Sequence, residues 1–141
     1  MRESRMPRSS LTLGILLLAG AASARAEDGL GPTFDFDFGR EVFVHVPGRR
    51  LTISRGCRRS EGEFACLAYS SIESARTVRF QPPLDGGANP GSLLCRKIGG
   101  NVVIGRDSER NENSFCRFKD GSLVDNGTLF YHRARGAREG R

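Results

Sequence analysis

The chain has 141 residues, a formal net charge of +6 and no tryptophan. This length suits one domain or two very small ones, and no stretch reaches the roughly 20 apolar residues that a membrane-spanning helix needs. Arginines and lysines do not occur in runs interleaved with stacking aromatic residues, so we expect no nucleic-acid partner.

Residues 1–26 have the pattern of a secretory signal peptide. Three arginines precede an apolar run at 11–22, and Ala-Arg-Ala follows at 24–26. We expect cleavage after Ala26 and a soluble bacterial protein that is periplasmic or secreted. A lipid anchor is not expected, because no cysteine lies just after the apolar run and the first one is Cys57. Cleavage leaves 18 basic and 15 acidic side chains, so half of the positive excess is removed with the signal.

The cysteines predict a disulfide-stapled protein. All four lie after the signal: Cys57, Cys66, Cys95 and Cys116. An exported chain meets an oxidising compartment, in which an even number of cysteines predicts disulfides. Three pairings are possible, and we favour Cys57–Cys66 and Cys95–Cys116 because each joins one local unit. The sequence has no C-x-x-C motif and two histidines, so we expect no metal site and no cofactor.

Three strands are predicted between residues 34 and 54. Residues 34–38 alternate phenylalanine with aspartate, which places three rings on one face of a strand and leaves the aspartates on an exposed face. Strands at 42–46 and 51–54 flank a Pro-Gly turn. His45 is in register with Phe43, and we expect it at the surface or at an edge rather than as a ligand.

The segment from Cys57 to Cys66 is interpreted as a disulfide-closed hairpin that returns as a strand over 64–69. The candidate residues for docking an acidic partner are the arginines around its tip: Arg55, Arg58 and Arg59. The alternative is a solvated loop, in which two glutamates of the same loop balance the positive charge. A further short strand is expected at 77–80.

The segment 82–88 is rich in proline and glycine and has the composition of a linker. It separates a β-rich region, 27–81, from a C-terminal module, 89–132. We assign residues 133–141 to a flexible basic tail.

The C-terminal module is predicted to begin with a helix over about 90–98. Asn89 can cap its first turn, Pro90 suits the first helical position, and two glycines at 99–100 can end it. Strands are expected at 102–104, 114–118 and 129–131. Turns are expected at Asp120-Gly121 and at Asn126-Gly127.

Four motifs follow one another in this module: N-P-G-S-L-L-C at 89–95, a glycine pair at 99–100, F-C-R-F-K-D-G-S at 115–122 and Leu-Phe at 129–130. In this order they resemble a bacterial family of small exported domains of unknown function that carries the label hemolysin. Where that family commonly has a cysteine, acidic residues and a tryptophan after D-G-S, this chain has Val-Asp-Asn-Gly at 124–127. The resemblance implies that the disulfide between helix and strand is retained.

The patterns together favour an α+β fold, mainly antiparallel, with one principal helix and two disulfides. No nucleophile, metal or nucleotide motif stands out, so we expect a non-catalytic binding or inhibitor module with a protein or another cell-envelope partner. One alternative is the membrane-active toxin that the hemolysin label suggests. Another is a periplasmic enzyme in which His45 or His132 works with a carboxylate.

Overall fold

The computed structural model describes residues 30–81, 87 and 89–140. The signal segment 1–26 and most of the linker 82–88 lie outside these residues. The strands are β1 (Leu30–Phe36), β2 (Gly39–Val46), β3 (Leu51–Ser54), β4 (Arg58–Ser60), β5 (Glu63–Phe64), β6 (Asn101–Arg106), β7 (Glu112–Arg117) and β8 (Leu123–Asp125). The helices are α1 (Leu67–Thr77), α2 (Pro90–Lys97) and α3 (Asn126–Glu139). None of these helices is long and apolar enough to cross a membrane.

Six strands form a closed antiparallel barrel in the order β1-β2-β3-β8-β7-β6. Strands β1 to β3 are neighbours, and so are strands β6 to β8. These two groups meet where Ile53 of β3 lies opposite Val124 of β8. The barrel closes where Asp35 of β1 pairs with Arg106 of β6. The predicted α+β, mainly antiparallel fold is confirmed. Residues before and after the linker build one sheet together, rather than a separate sheet each.

Aromatic rings fill one core, between β1, β2, β7 and β8. Its buried members are Phe34, Phe36, Phe43, Phe115 and Leu123. The ring centroids of Phe43 and Phe115 lie 4.7 Å apart, and Phe34 contacts Phe115 edge-on at 4.8 Å. The alternation predicted from residue 34 onward is thus confirmed for Phe34 and Phe36. Phe38 lies in the turn before β2 and is 39% exposed.

A second core lies where the strands meet the helices. Adjacent residues of a strand point to opposite faces, so Val44, Cys116 and Val124, which each follow a member of the first core on β2, β7 and β8, belong to this second core. Val44 and Val124 are fully buried here and belong to one cluster with Leu94 of α2 and Leu129 of α3. Ile72 of α1 joins the same cluster. The barrel is therefore buried on both faces wherever helices cover it.

Helix α2 begins as the sequence predicts. The Oδ1 atom of Asn89 accepts hydrogen bonds from the backbone N–H groups of Gly91 at 2.9 Å and Ser92 at 3.2 Å, and Pro90 is the first helical residue. The side-chain cap satisfies donors that a helix leaves without partners at its start.

Helix α1 begins with capping groups from the distant turn between β7 and β8. The backbone N–H of Leu67 donates to Oδ2 of Asp120 at 2.8 Å, and that of Ala68 donates to Oγ of Ser122 at 2.9 Å. The turn itself is the predicted Asp-Gly turn, in which Gly121 has a φ of 83°. The D-G-S motif therefore holds the start of a helix more than fifty residues earlier in the chain.

Helix α1 occupies a region that was predicted to be extended. Strand β5 ends at Phe64, so the strand predicted over 64–69 is wrong after that residue, and Thr77 ends a helix rather than starting a strand. The buried residues of α1 have helical spacing: Ala68, Ser71, Ile72 and Ala75. Three of these four are small or polar, which weakens the hydrophobic pattern of the helix.

Helix α3 also replaces other predictions. Asp125 caps it by accepting a hydrogen bond from the backbone N–H of Thr128 at 2.9 Å, so the predicted Asn-Gly turn is the first turn of a helix. The expected strand at 129–131 is helical, and so are residues 133–139, which were assigned to the tail. Gly136 packs so closely on α1 that an added Cβ atom would lie 2.5 Å from the carbonyl oxygen of Arg76. This packing favours a helix where composition alone indicates a turn and a tail.

The structure contains both predicted disulfides. Cys57–Cys66 closes the β4–β5 hairpin, with the two Cα atoms 5.2 Å apart. Cys95–Cys116 joins α2 to β7, with the two Cα atoms 5.5 Å apart, and both of its cysteines are fully buried. The second bond therefore ties a helix to the barrel from inside the core.

Candidate binding cleft

A cleft of about 490 Å³ opens between the 3-10 turn at Pro47–Arg49, helix α1 and helix α3. We name it the α1–α3 cleft. The polar and charged residues that line it are Arg49, Tyr69, Ser70, Glu73, Arg76, His132 and Arg135. These residues come from three elements that are distant in sequence, so the cleft exists only in the folded chain.

The base of the cleft is apolar. Leu51 and Ile72 line it, and both belong to the core beneath the helices, with exposures of 1% and 7%. An apolar base with a few convergent polar groups is the usual composition of a small-molecule site.

Three guanidinium groups line the cleft. Arg49 lies on the tight connection between β2 and β3, where Arg50 takes the left-handed conformation with a φ of 49°. Arg76 lies in the last turn of α1, and Arg135 lies on α3. The carboxylate of Glu73 also lines the cleft, so its lining carries more positive than negative charge.

Ion pairs join the arginines of α1 and α3. Arg76 contacts Oε1 of Glu73 at 3.0 Å and Oε2 of Glu139 at 2.9 Å, and Arg135 contacts Oε1 of Glu139 at 3.0 Å. Hydrogen bonds from Arg135 and Arg76 hold the pKa of Glu139 below its usual value. A guanidinium has five N–H donors, so these pairs leave donors of both arginines for another acceptor.

Arg49 is held by neutral groups. Its guanidinium donates to the hydroxyl of Tyr69 at 2.5 Å and to the carbonyl oxygen of Gly62 at 3.1 Å. It also lies over the rings of Phe64 and Tyr69, 5.3 and 5.6 Å from their centroids. These contacts orient the positive charge without neutralising it, because none of them is to a carboxylate.

His132 contributes a neutral imidazole to the cleft. Its Nε2 atom lies 3.2 Å from the carbonyl oxygen of Arg49, a contact in which Nε2–H is the donor. Burial lowers the pKa of His132, a backbone hydrogen bond to Arg49 acts against this, and the charges of Arg76, Arg135 and Arg49 lower it further. A negative charge bound nearby would offset those positive charges and favour protonation of the ring.

The cleft can therefore hold an anion. Guanidinium groups match the planar geometry of carboxylates and the oxygens of phosphates, and they form charge-assisted hydrogen bonds with both. The apolar base favours an anion that also carries a small hydrocarbon or aromatic part.

The arginines singled out from the sequence lie elsewhere. Arg55 is exposed in the 3-10 turn before the hairpin, Arg58 is half-buried on β4, and exposed Arg59 donates to the carbonyl oxygen of Ala65 at 3.3 Å. Arg59 and Arg117 line a second cavity of about 510 Å³ beside the hairpin disulfide. The structure does not bring these three arginines into the α1–α3 cleft, and their partner-binding role stays a prediction.

His45 is exposed on β2, as predicted, and its Nδ1 atom lies 2.8 Å from Oγ1 of Thr52. The two histidines belong to different surroundings, because His132 lines the cleft and His45 does not. The pairing of either ring with a carboxylate as an enzyme site stays a prediction.

Sequence reasoning missed the cleft residues of α1. Tyr69, Glu73 and Arg76 were placed in or between predicted strands, where they share no face. In a helix their spacing of four and three residues puts them on one side. This spacing is present in the sequence, but it indicates a shared face only after the region has been recognised as helical.

The motif residues of the C-terminal module have structural roles. Asn89 caps α2, and Ser92 accepts a hydrogen bond from the amide of Asn126 at 3.1 Å. An added Cβ atom at Gly100 would lie 3.0 Å from Sγ of Cys95, so only glycine fits beside the buried disulfide. These residues fix helices and strands relative to one another.

Comparison with known proteins agrees with the resemblance found in the sequence. Residues 86–133 match a family described as a domain of unknown function, DUF333. A search of curated proteins and a search of solved structures each found no match. The hemolysin label and the bacterial origin stay predictions. About a third of the chain is therefore similar to a family whose own description assigns no function.

Proposed function

We propose that this protein is an exported, non-catalytic binding module that recognises an anionic ligand in the α1–α3 cleft. The observation that carries the proposal is the convergence of Arg49, Arg76 and Arg135, from three separate elements, over an apolar base. The two disulfides are the kind of bond that persists in an oxidising compartment, which supports export together with the signal pattern at 1–26. A cell-envelope ligand that carries a carboxylate or phosphate group fits this cleft.

The chemistry of the cleft supports binding rather than acid–base catalysis. His132 is surrounded by three positive charges, and its lowered pKa makes the imidazole a weaker base. All four cysteines of the chain are bonded in disulfides, so their thiols cannot act as nucleophiles. Ion pairs and aromatic contacts hold the arginines in place, which suits recognition of a fixed charge.

Calorimetric titration with phenyl phosphate and with benzoate tests the proposal, since both probes combine an anionic group with a flat apolar part. Both should bind more tightly than inorganic phosphate or acetate, because the ring can cover Leu51 and Ile72. Replacing Arg135 with glutamine removes one charge but keeps a polar side chain of similar length. We expect about 5- to 10-fold weaker binding, the low end for a lost charge-assisted hydrogen bond at a partly exposed site.

Arg96→Gln is the matched control. Arg96 is an exposed arginine on α2 and does not line the cleft, so this variant should bind like the wild type. Equal binding by wild type and Arg135→Gln would contradict the proposal.

A second candidate site is the cavity beside the hairpin, because Arg59 and Arg117 both line it. If Arg59→Gln weakens binding while Arg135→Gln does not, the ligand occupies the hairpin cavity and the α1–α3 cleft is not the site. A toxin of the kind the family label suggests would release dye from liposomes. Our proposal predicts no release.

A further inference from the structure

A groove, distinct from the hairpin cavity, lies beside the α1–α3 cleft. It has a volume of about 490 Å³, and its lining includes Arg76, Arg79, Arg133 and Gly136. Arg76 lines both the groove and the cleft. The two cavities are therefore neighbours along the contact between α1 and α3.

The groove adds the positive charges of Arg79 and Arg133, which form no ion pair within the part of the chain that the structure describes. Arg79 is exposed just after α1. Arg133 is half-buried, and its guanidinium donates to the carbonyl oxygen of Phe80 at 3.2 Å, a neutral acceptor. The cleft supplies Arg49 and Arg135 next to this pair, and the acidic partners in the network are Glu73 and Glu139. The surface of this helix pair is basic overall.

We propose that the ligand is a linear polyanion whose successive acidic groups occupy the cleft and the groove together, with Arg76 between them. This inference rests on the proposed function, because one acidic group of the same ligand occupies the α1–α3 cleft. Arginines in two adjacent cavities can each bind one acidic group of a chain, and binding at the first cavity raises the local concentration of the next group at the second.

The shape of the surface favours a chain over a lipid bilayer. The arginines line two concave cavities on a pair of packed helices, whereas a bilayer requires a convex or flat basic face with apolar side chains to insert. Tyr131 is the exposed large apolar residue on these helices, and its ring is covered by the guanidinium of Arg50 at 5.5 Å from the centroid. A bilayer would reach neither cavity.

The test compares the affinities of the protein for phosphate compounds of increasing chain length. The probes are inorganic phosphate, tripolyphosphate and long-chain polyphosphate, with polygalacturonate as a carboxylate polymer and phosphatidylglycerol vesicles as a bilayer. Affinity per chain should rise at least tenfold from phosphate to the long chain, and the vesicles should bind more weakly than either polymer. A preference between the two polymers would identify the acidic group.

Arg79→Gln addresses the groove alone, since Arg79 does not line the cleft. This variant should bind phenyl phosphate like the wild type and long-chain polyphosphate several-fold more weakly. The slope of log affinity against log salt should fall by about one unit, because one fewer phosphate is neutralised. Arg96→Gln should change neither the affinity nor the slope.

Two results would overturn the inference: an unchanged polyphosphate affinity and salt slope in Arg79→Gln, or tighter binding to vesicles than to polymers. In both cases the proposed function stands if phenyl phosphate still binds and depends on Arg135. If phenyl phosphate does not bind the wild type, the proposed function fails and this inference fails with it.

Discussion

Replacing Gly91 with alanine should destabilise the protein, although it should strengthen helix α2 by itself. Gly91 is buried in the first turn of α2 and faces the start of α3. An added Cβ atom would run into the carbonyl oxygen of Asn126, and it would lie 2.8 Å from the carbonyl carbon and 3.0 Å from the Cβ atom of that residue. Two of these three atoms belong to the backbone, so no change of rotamer can relieve the contact.

The expected magnitude follows from three effects. Exchanging glycine for alanine in a helix gains up to about 1 kcal/mol of helix propensity. Overpacking a well-packed contact costs about 1–3 kcal/mol. If α2 moves away from α3, the hydrogen bond from Asn126 to Ser92 also weakens, which costs about 1 kcal/mol. The net expectation is a loss of about 2 kcal/mol in the free energy of unfolding, since the two costs exceed the gain.

Urea denaturation with intact disulfides, followed by far-ultraviolet circular dichroism, measures this loss as a lower midpoint at an unchanged slope. Gly56→Ala is the matched control, because an added Cβ atom there has no neighbour within 4 Å. Its free energy of unfolding should stay within about 0.5 kcal/mol of the wild type. A midpoint for Gly91→Ala equal to or above that of the wild type would show that helix propensity prevails and that the α2–α3 contact is loose.

Three further predictions concern stability. Removing the buried Cys95–Cys116 disulfide by double replacement with alanine should lower the free energy of unfolding by about 3 kcal/mol or more and reduce the cooperativity of unfolding. Removing Cys57–Cys66 should cost less, because that bond closes a shorter loop. Denaturation curves of the two variants compare these costs, and the reverse order would refute the reasoning. Asp120→Ala removes a cap of α1 and should cost about 1 kcal/mol, measured as a lower urea midpoint; a midpoint equal to that of the wild type would contradict it. Burial lowers the pKa of His132, so the folded state favours the neutral ring. The contribution of this ring to the free energy of unfolding is present above the unfolded-state pKa of 6.5 and is lost as the pH falls below it. Comparing stability at pH 8 and pH 5 in wild type and His132→Gln isolates this contribution, and an equal loss in both proteins would contradict it.

How far the sequence predicts the fold depends on where the information for each element lies. Strands β2 and β3, helix α2 and both disulfides follow from local alternation, a local cap and local pairing. Helix α1 does not, because two of its capping groups, Asp120 and Ser122, are contributed by a turn in the other half of the chain. Helix α3 does not, because Gly136 and the polar side chains of Arg133, Arg135 and Arg138 resemble a tail until α1 is present to pack against it.

The candidate site was less predictable than the fold for the same reason. Arg55, Arg58 and Arg59 stood out because they are close together in sequence, whereas Arg49, Arg76 and Arg135 are far apart in the chain. Their proximity follows from the packing of α3 on α1 and from the position of the β2–β3 connection. Neither could be inferred before α1 and α3 were known to be helices.

The family match and the cleft depend on different parts of the chain. Residues 86–133 supply strands β6 to β8, helix α2 and the first half of α3, and the motif residues within them act as caps, turns and a disulfide. Arg49, Tyr69 and Arg76 lie before this segment and Arg135 lies after it, so His132 is the cleft residue named above that the match contains. The matched segment therefore specifies half of a barrel and how its helices attach, while the cleft that we propose as the binding site is lined mainly by residues outside the match. It follows that replacing a motif residue such as Gly91 should change stability, whereas replacing Arg135 should change binding.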